Sequence, residues 1–246
     1  MSASITLLGA INQSTISQLE VWLAGFNKNA KCHYLTDSSD PIAVQRWTLS
    51  SPFSKDEEAQ VRAQLLAFSD ASNVDHVYQY RSVDISRPGL AVFDMDSTLI
   101  KAEVMDELAV EAGIGEKVSA ITASAMRGEI DFTESFEQRL SLLEGLSSDV
   151  MDGVFSRIKY MDGIEKLMKV LNHFNWHTAI LSGGFTFFAD KIKHKFDFTE
   201  IHANVLEIEE GLLTGKHIGP IVDASRKKFL LENIMLDQSV SQTQTI

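Results

Sequence analysis

The sequence predicts an α/β protein: a doubly wound parallel sheet with a helical cap insert, preceded by a small α+β unit. Three observations predict it. Short strand-like and helical stretches alternate over residues 4–83 in the order βαββαβ. Ser86-Arg87-Pro88-Gly89 then breaks the pattern with a turn-forming string. Beyond it, buried-strand patterns at 90–93, 178–181 and near 204–208 are separated by helical stretches, as strands covered on both faces of a parallel sheet would be.

In the first unit, residues 4–8 read as a strand. Residues 14–26 read as a helix, with Ile16, Leu19, Leu23 and Phe26 at helical spacing. Strand-like stretches follow at 31–35 and 42–49. A helix over 54–68 opens with Ser54 and Glu57, the spacing of a capping box. Residues 77–83 alternate like a half-exposed strand. This order is that of a ferredoxin-like split unit. Many small regulatory domains that bind amino acids share it, as do unrelated domains, so the order leaves function open. The boundary is placed at 86/87, giving units 1–86 and 87–246.

In the second unit the apolar run 90–93 is followed by a helical insert over about 101–159, expected to cap the crevice of a Rossmann-like sheet. Ligands in such sheets sit at the carboxyl ends of the strands. Within the insert, a helix over 132–144 opens with Asp131 and Glu134 and carries the apolar stripe Phe132, Phe136, Leu140 and Leu143. Arg139 falls inside that stripe. A guanidinium there either meets a partner or reaches out to the rim.

Composition bounds the partners. The 246 residues carry a net charge of −12, which argues against nucleic acid and anionic membrane but leaves a small anionic substrate open. The single cysteine, Cys32, excludes an intrachain disulfide and reads as a buried or half-buried small residue. The N-terminal stretch lacks the basic region of a signal peptide, and no apolar run is long enough for a membrane span. The expectation is a cytoplasmic protein. A homodimer is left open.

Four strings bear on chemistry. Phe93-Asp94-Met95-Asp96-Ser97-Thr98 sets two carboxylates two residues apart where an interior strand ends. Like charges so placed call for compensation, and a divalent cation is the natural candidate. A solvated helix-capping turn is the plainer alternative. Leu181-Ser182-Gly183-Gly184 ends a second strand, and its glycines let backbone N–H groups approach a phosphoryl oxygen. Asp223-Ala224-Ser225-Arg226-Lys227-Lys228 sets an N-cap before three cations. Cations in a first turn oppose the helix dipole, so either they are solvated or one meets an anion. His173 and His177 stand four apart, but without a third ligand they read as loop or surface histidines.

DMDST resembles the first motif of the haloacid dehalogenase-like phosphatases. That resemblance implies Asp94 as the nucleophile, forming an aspartyl-phosphate, and Asp96 as the acid that protonates the leaving oxygen and then activates water. Related transport ATPases carry Thr at the second position, so Asp96 favours a phosphatase or phosphomutase. DMDSTLIKAEVMDELA, MRGEIDFTESFEQRLSLLEGL, SGGF and IVDASRK together resemble the phosphoserine phosphatase branch, over about 88–233. The resemblance implies O-phosphoserine as substrate, in serine biosynthesis. Ser182, the Gly183 amide and Lys227 would bind phosphate, with Lys228 the fallback for Lys227. Glu103 would hold the ammonium and Arg139 the carboxylate, while Met126 and Phe132 close over the site. Mg²⁺ would rest on Asp94 and the backbone carbonyl of Asp96.

The family's fourth motif, an aspartate pair in GDGxND after the next buried strand, has no counterpart here. Gln244-Thr245-Ile246 read as the first residues of that strand. The resemblance then implies a metal site short of one protein ligand, weak Mg²⁺ affinity, an open sheet edge and a fragment of a longer enzyme whose activity by itself is open. Two other readings stand beside it. One is a phosphatase of the same fold acting on another small phosphate ester. The other is a non-catalytic protein whose N-terminal unit binds an amino acid.

Overall fold

A computed structural model describes residues 3–36, 42–81 and 83–246. The chain divides into two units, Met1–Val83 and Asp84–Ile246.

The first unit runs β1 (Ser4–Gly9), α1 (Gln13–Gly25), β2 (Ala30–Tyr34), β3 (Ala43–Leu49), α2 (Lys55–Ser72) and β4 (Val74–Gln79). Its sheet has the order β2-β3-β1-β4, with every neighbouring pair antiparallel. Ile5 and Leu7 of β1 pack against Leu19 and Leu23 of α1 and Val61 and Leu65 of α2, all 3% exposed or less. Each such apolar side chain contributes about 1.5–3 kcal/mol on burial. The capping box forms: Ser54 Oγ accepts the Glu57 N–H, and Glu57 Oε2 accepts the Ser54 N–H.

The last strand differs from the expected 77–83. It occupies Val74–Gln79, and Ser82, within the expected span, lies outside the described residues. Asn73, left-handed at φ 53°, ends α2 and turns the chain straight into β4. The inward face therefore carries Val74, His76 and Tyr78, while Val77 stays exposed. Cys32 is half-buried.

The second unit begins with β5 (Leu90–Phe93). The insert follows as α3 (Val104–Glu111), α4 (Gly115–Met126), α5 (Phe132–Ser141) and α6 (Val150–Arg157). Then come α7 (Ile164–His173), β6 (His177–Phe185), α8 (Thr186–Phe196), β7 (Glu200–Glu209), β8 (Leu212–Ile218) and α9 (Ala224–Asp237). The sheet order is β5-β6-β7-β8, parallel through β7. Leu90, Ala179, Leu181, Val222, Leu230 and Ile234 form a buried cluster on it.

Two expectations change here. β8 was not foreseen: it folds back on β7 as an antiparallel hairpin, because Glu210 and Gly211 take left-handed φ of 50° and 80° and make the tight turn such pairs favour. His177 does not lie in a loop but opens β6, where its Nε2 sits 2.7 Å from Glu200 Oε1; His173 is exposed at the end of α7. Thr245 pairs in parallel with Leu90, and Ile246 exchanges backbone hydrogen bonds with Leu90 and Val92. Gln244, expected to open that strand, instead ends a short 3-10 turn, Gln242–Gln244, so only Thr245 and Ile246 pair as the sequence predicts. Among the described residues no helix is long and apolar enough to cross a membrane.

Candidate active site

The four-residue strand β5 delivers Asp94 and Asp96 to its carboxyl end, as its apolar sequence requires. The turn that follows is tight. Met95, fully buried, accepts the N–H groups of Leu99 and Ile100, and Ser97 adopts a left-handed φ of 54°. Such a conformation costs a non-glycine residue roughly 1 kcal/mol or more. Ser97 Oγ donates to Glu103 Oε1 at 2.7 Å, and Asp96 Oδ1 accepts the Val104 N–H at 2.9 Å. Glu103, expected to hold the substrate ammonium, is the N-cap residue of α3 but makes no side-chain capping bond. Burial pushes the Asp96 carboxyl up to about 6, against the pull of the Val104 N–H, with Glu103 and Asp94 adding to the rise.

The second wall is an interruption of β6. Its register against β7 runs through Leu181↔His202, shifts, and resumes at Phe185↔Asn204. Ser182, Gly183 and Gly184 occupy that bulge. A Cβ on Gly184 would meet Met95 Cε at 2.5 Å and Asp96 Oδ2 at 2.6 Å, so only glycine lets the two strand ends approach. Ser182 was expected among the substrate-binding groups. It is fully buried and outside the cavity lining, because the bulge draws its hydroxyl against the Gly184 N–H at 2.9 Å, with Asp96 Oδ2 at 3.4 Å.

The third element is α9. Asp223 caps it by accepting the Arg226 N–H at 2.7 Å. The helix then directs Lys227 Nζ to 2.6 Å from Asp94 Oδ2. Lys228 lies one position round, its side chain 76% exposed and 3.8 Å from Glu232. The geometry therefore separates the two lysines that the sequence left as alternatives.

Asp94, Asp96, Glu103, Arg139, Gly183 and Lys227 all line one cavity of about 410 Å³. Phe132 and Phe136 of α5 line it as well. Arg139 Nε donates to the Ser135 carbonyl at 3.1 Å, and no salt bridge to the guanidinium forms among the described residues. Burial lowers its pKa, opposed by the charges of Asp106 and Glu103. Met126, expected to close over the site, instead ends α4 at 85% exposure and does not line the cavity. A motif match gives a position in the chain but not where a helix end faces.

Among the described residues no group of three or more His, Cys, Asp or Glu side chains could hold a metal ion. Asp94 and the Asp96 carbonyl nevertheless offer only oxygen donors. A hard cation that keeps several waters and takes substrate oxygens fits such a sparse set.

A family model of haloacid dehalogenase-like hydrolases matches residues 91–238, which include β5, the insert, β6 and α9. The chain belongs to this family. As a haloacid dehalogenase-like hydrolase it is 42% identical over 185 residues to a phosphoserine phosphatase of Archaeoglobus fulgidus, covering 75% of this chain and 54% of that one. The solved structure of a probable phosphoserine phosphatase from Vibrio cholerae superposes with a TM-score of 0.73 at 26% identity, over 98% of this chain and 71% of that one. A substrate-bound phosphoserine phosphatase complex matches with a TM-score of 0.61 at 34% identity, over 65% and 76%. The chain spans about half the length of several curated relatives it matches.

Sequence reasoning missed two residues that shape this site. Gly184 gave no signal beyond being a second glycine. Asn204, 2% exposed, links Gly183 to Val222. An amide in the middle of a strand is a signal only once its burial is known.

Proposed function

We propose that this protein hydrolyses O-phospho-L-serine to L-serine and inorganic phosphate through an aspartyl-phosphate on Asp94, as the last step of serine biosynthesis. The observation that carries the reading is the meeting of Asp94 and Lys227 at 2.6 Å beside Asp96, in a cavity whose lining also includes Arg139 and Glu103. The names of the relatives support it, since they are called phosphoserine phosphatases. A cytoplasmic location belongs to the same proposal.

In the first step an Asp94 carboxylate oxygen attacks phosphorus, and the bond from phosphorus to the serine oxygen breaks. Asp96 gives its proton to that oxygen as it leaves. Burial keeps Asp96 protonated to higher pH than an exposed aspartate, as a general acid requires. In the second step Asp96, now ionised, takes a proton from water while the water oxygen attacks phosphorus. Phosphate departs and the Asp94 carboxylate is restored. Lys227 and the Gly183 backbone balance charge on the phosphoryl oxygens. Ser182 supports the turn from behind through Gly184. A divalent cation, Mg²⁺ in this proposal, would be held by the Asp94 carboxylate and the Asp96 carbonyl and would supply positive charge opposite the same oxygens.

Selectivity rests on the headgroup. Arg139 is half-buried and its outer nitrogens make no salt bridge among the described residues, so a carboxylate can be taken bidentately. Glu103 offers the complementary charge to an ammonium group. The test is turnover with magnesium of phosphoserine against phosphoethanolamine, which lacks the carboxylate. Preference for phosphoserine, with radiolabelled phosphate trapped on Asp94, is expected. Equal turnover of the two esters defeats the substrate assignment, and an unlabelled Asp94 defeats the mechanism.

A further inference from the structure

We infer that Asn204 is the positioning residue that holds the two phosphate-binding elements of the site, the β6 bulge and the start of α9, at their working separation. The inference deepens the phosphatase reading and rests on its phosphate site.

The bulge creates the need. Where β6 leaves its ladder with β7, the backbone of Ser182 to Gly184 gives up regular sheet pairing, and a buried carbonyl left without a donor is unfavourable. Asn204, the β7 residue at which pairing resumes, meets that need: its Nδ2 donates to the Gly183 carbonyl at 2.8 Å. The N–H of the same peptide, on Gly184, donates to Ser182 Oγ at 2.9 Å. That peptide is thus pinned at both ends, and the conformation of Gly183, the glycine lining the cavity, is fixed with it.

The other end of the amide faces a different segment. Asn204 Oδ1 accepts the Val222 N–H at 2.9 Å. Val222 immediately precedes Asp223, which caps α9 and sets the register that brings Lys227 to Asp94. One buried side chain therefore ties the glycine backbone on one wall to the lysine-bearing helix on the other. The amide supplies from one side chain both the donor and the acceptor this link uses. Asn204 touches neither substrate nor reacting atoms in this scheme and acts through Gly183 and Lys227.

Asn204→Asp separates positioning from folding. It keeps an oxygen for the Val222 N–H but sets a second oxygen against the Gly183 carbonyl, which opens the link at one end. Affinity for inorganic phosphate and for L-serine, at one fixed magnesium concentration, is compared with that of the unmodified protein alongside thermal unfolding. The expected result is phosphate binding weakened about tenfold or more, with L-serine binding unchanged and the fold retained. Phosphate affinity within twofold of the unmodified protein in a folded variant overturns the inference, and so does an equal loss of phosphate and serine binding. If the variant does not fold, the unmodified protein decides: phosphate should shift the Asn204 side-chain and Val222 amide resonances, and unmoved resonances or no phosphate binding overturn the inference. Phosphate binding with the expected split, but no turnover of phosphoserine, would count against the phosphoserine assignment alone.

Discussion

His76 in the N-terminal unit and Asp96 in the C-terminal unit are both titratable side chains drawn out of water, and burial moves each toward its neutral form. His76 falls below its ordinary 6.5, while Asp96 rises to about 6. Their surroundings differ. The His76 ring lies 2.7 Å from the Val74 carbonyl and 3.4 Å from Ser69 Oγ, with the Phe68 ring at its side. Both contacts are to Nδ1 and come from its own strand and the helix before it. Asp96 has one close donor, the Val104 N–H, and two acidic neighbours, Asp94 and Glu103. A buried polar group satisfied by adjacent backbone holds a fold together. One left beside like charges, at the edge of a cavity, is poised to exchange a proton.

The strongest way to break that comparison is substitution. Asp94→Asn should lower phosphate release from phosphoserine by at least about a thousandfold, whereas His76→Gln should leave turnover within about twofold, as expected for a residue outside the site. Comparable losses would erase the distinction. Lys227→Ala should reduce kcat/KM by about a hundredfold, while Lys228→Ala, at an exposed pair, should change it by less than about twofold. Steady-state kinetics on the two variants would show whether the separation seen at Asp94 carries through. Arg139→Ala should raise KM for phosphoserine by about 10–100-fold and leave phosphoethanolamine nearly unaffected; a parallel rise for both esters would make Arg139 structural.

Stability sharpens the comparison with opposite signs. In chelator-treated protein, Asp96 binds its proton more tightly when folded than when unfolded, since its pKa rises from 3.8 to about 6. Stability should therefore fall as pH rises through that window. Asp96→Asn, which keeps an oxygen for the Val104 N–H, should remove the slope and gain on the order of 2–3 kcal/mol at pH 7 in denaturant unfolding. A variant no more stable than the parent would contradict the burial assigned to Asp96. His76 has the reverse dependence. It takes up its proton less readily when folded, so stability should fall as pH drops below 6.5. His76→Gln should flatten that limb, the smallest of the expected effects, and an unchanged acid limb would mean the ring is not buried neutral.

Much of the architecture is legible in the amino-acid order because its signals are local. The apolar run 90–93, the capping pairs Ser54–Glu57 and Asp131–Glu134, and Asp223 before its helix all act within a few residues. Asp94, Asp96 and Lys227 are legible as candidates for the same reason: each sits at the end of an element with a clear pattern. The strand β8 and its hairpin with β7, the start of β4 and the true place of His177 were not legible. They depend on left-handed residues and on partners distant in the sequence such as Glu200.

By itself, then, the sequence determined most of the elements, though not β8, and which chemical groups stand at their ends, since periodicity and capping are properties of neighbouring residues. Tertiary structure alone decided that Lys227 and not Lys228 reaches Asp94, that Ser182 lies behind the cavity, and that Asn204 joins two walls. Those outcomes turn on distances of a few ångströms between segments far apart in the chain. A hydrogen bond or an ion pair is made or lost over such distances, and no local pattern encodes them.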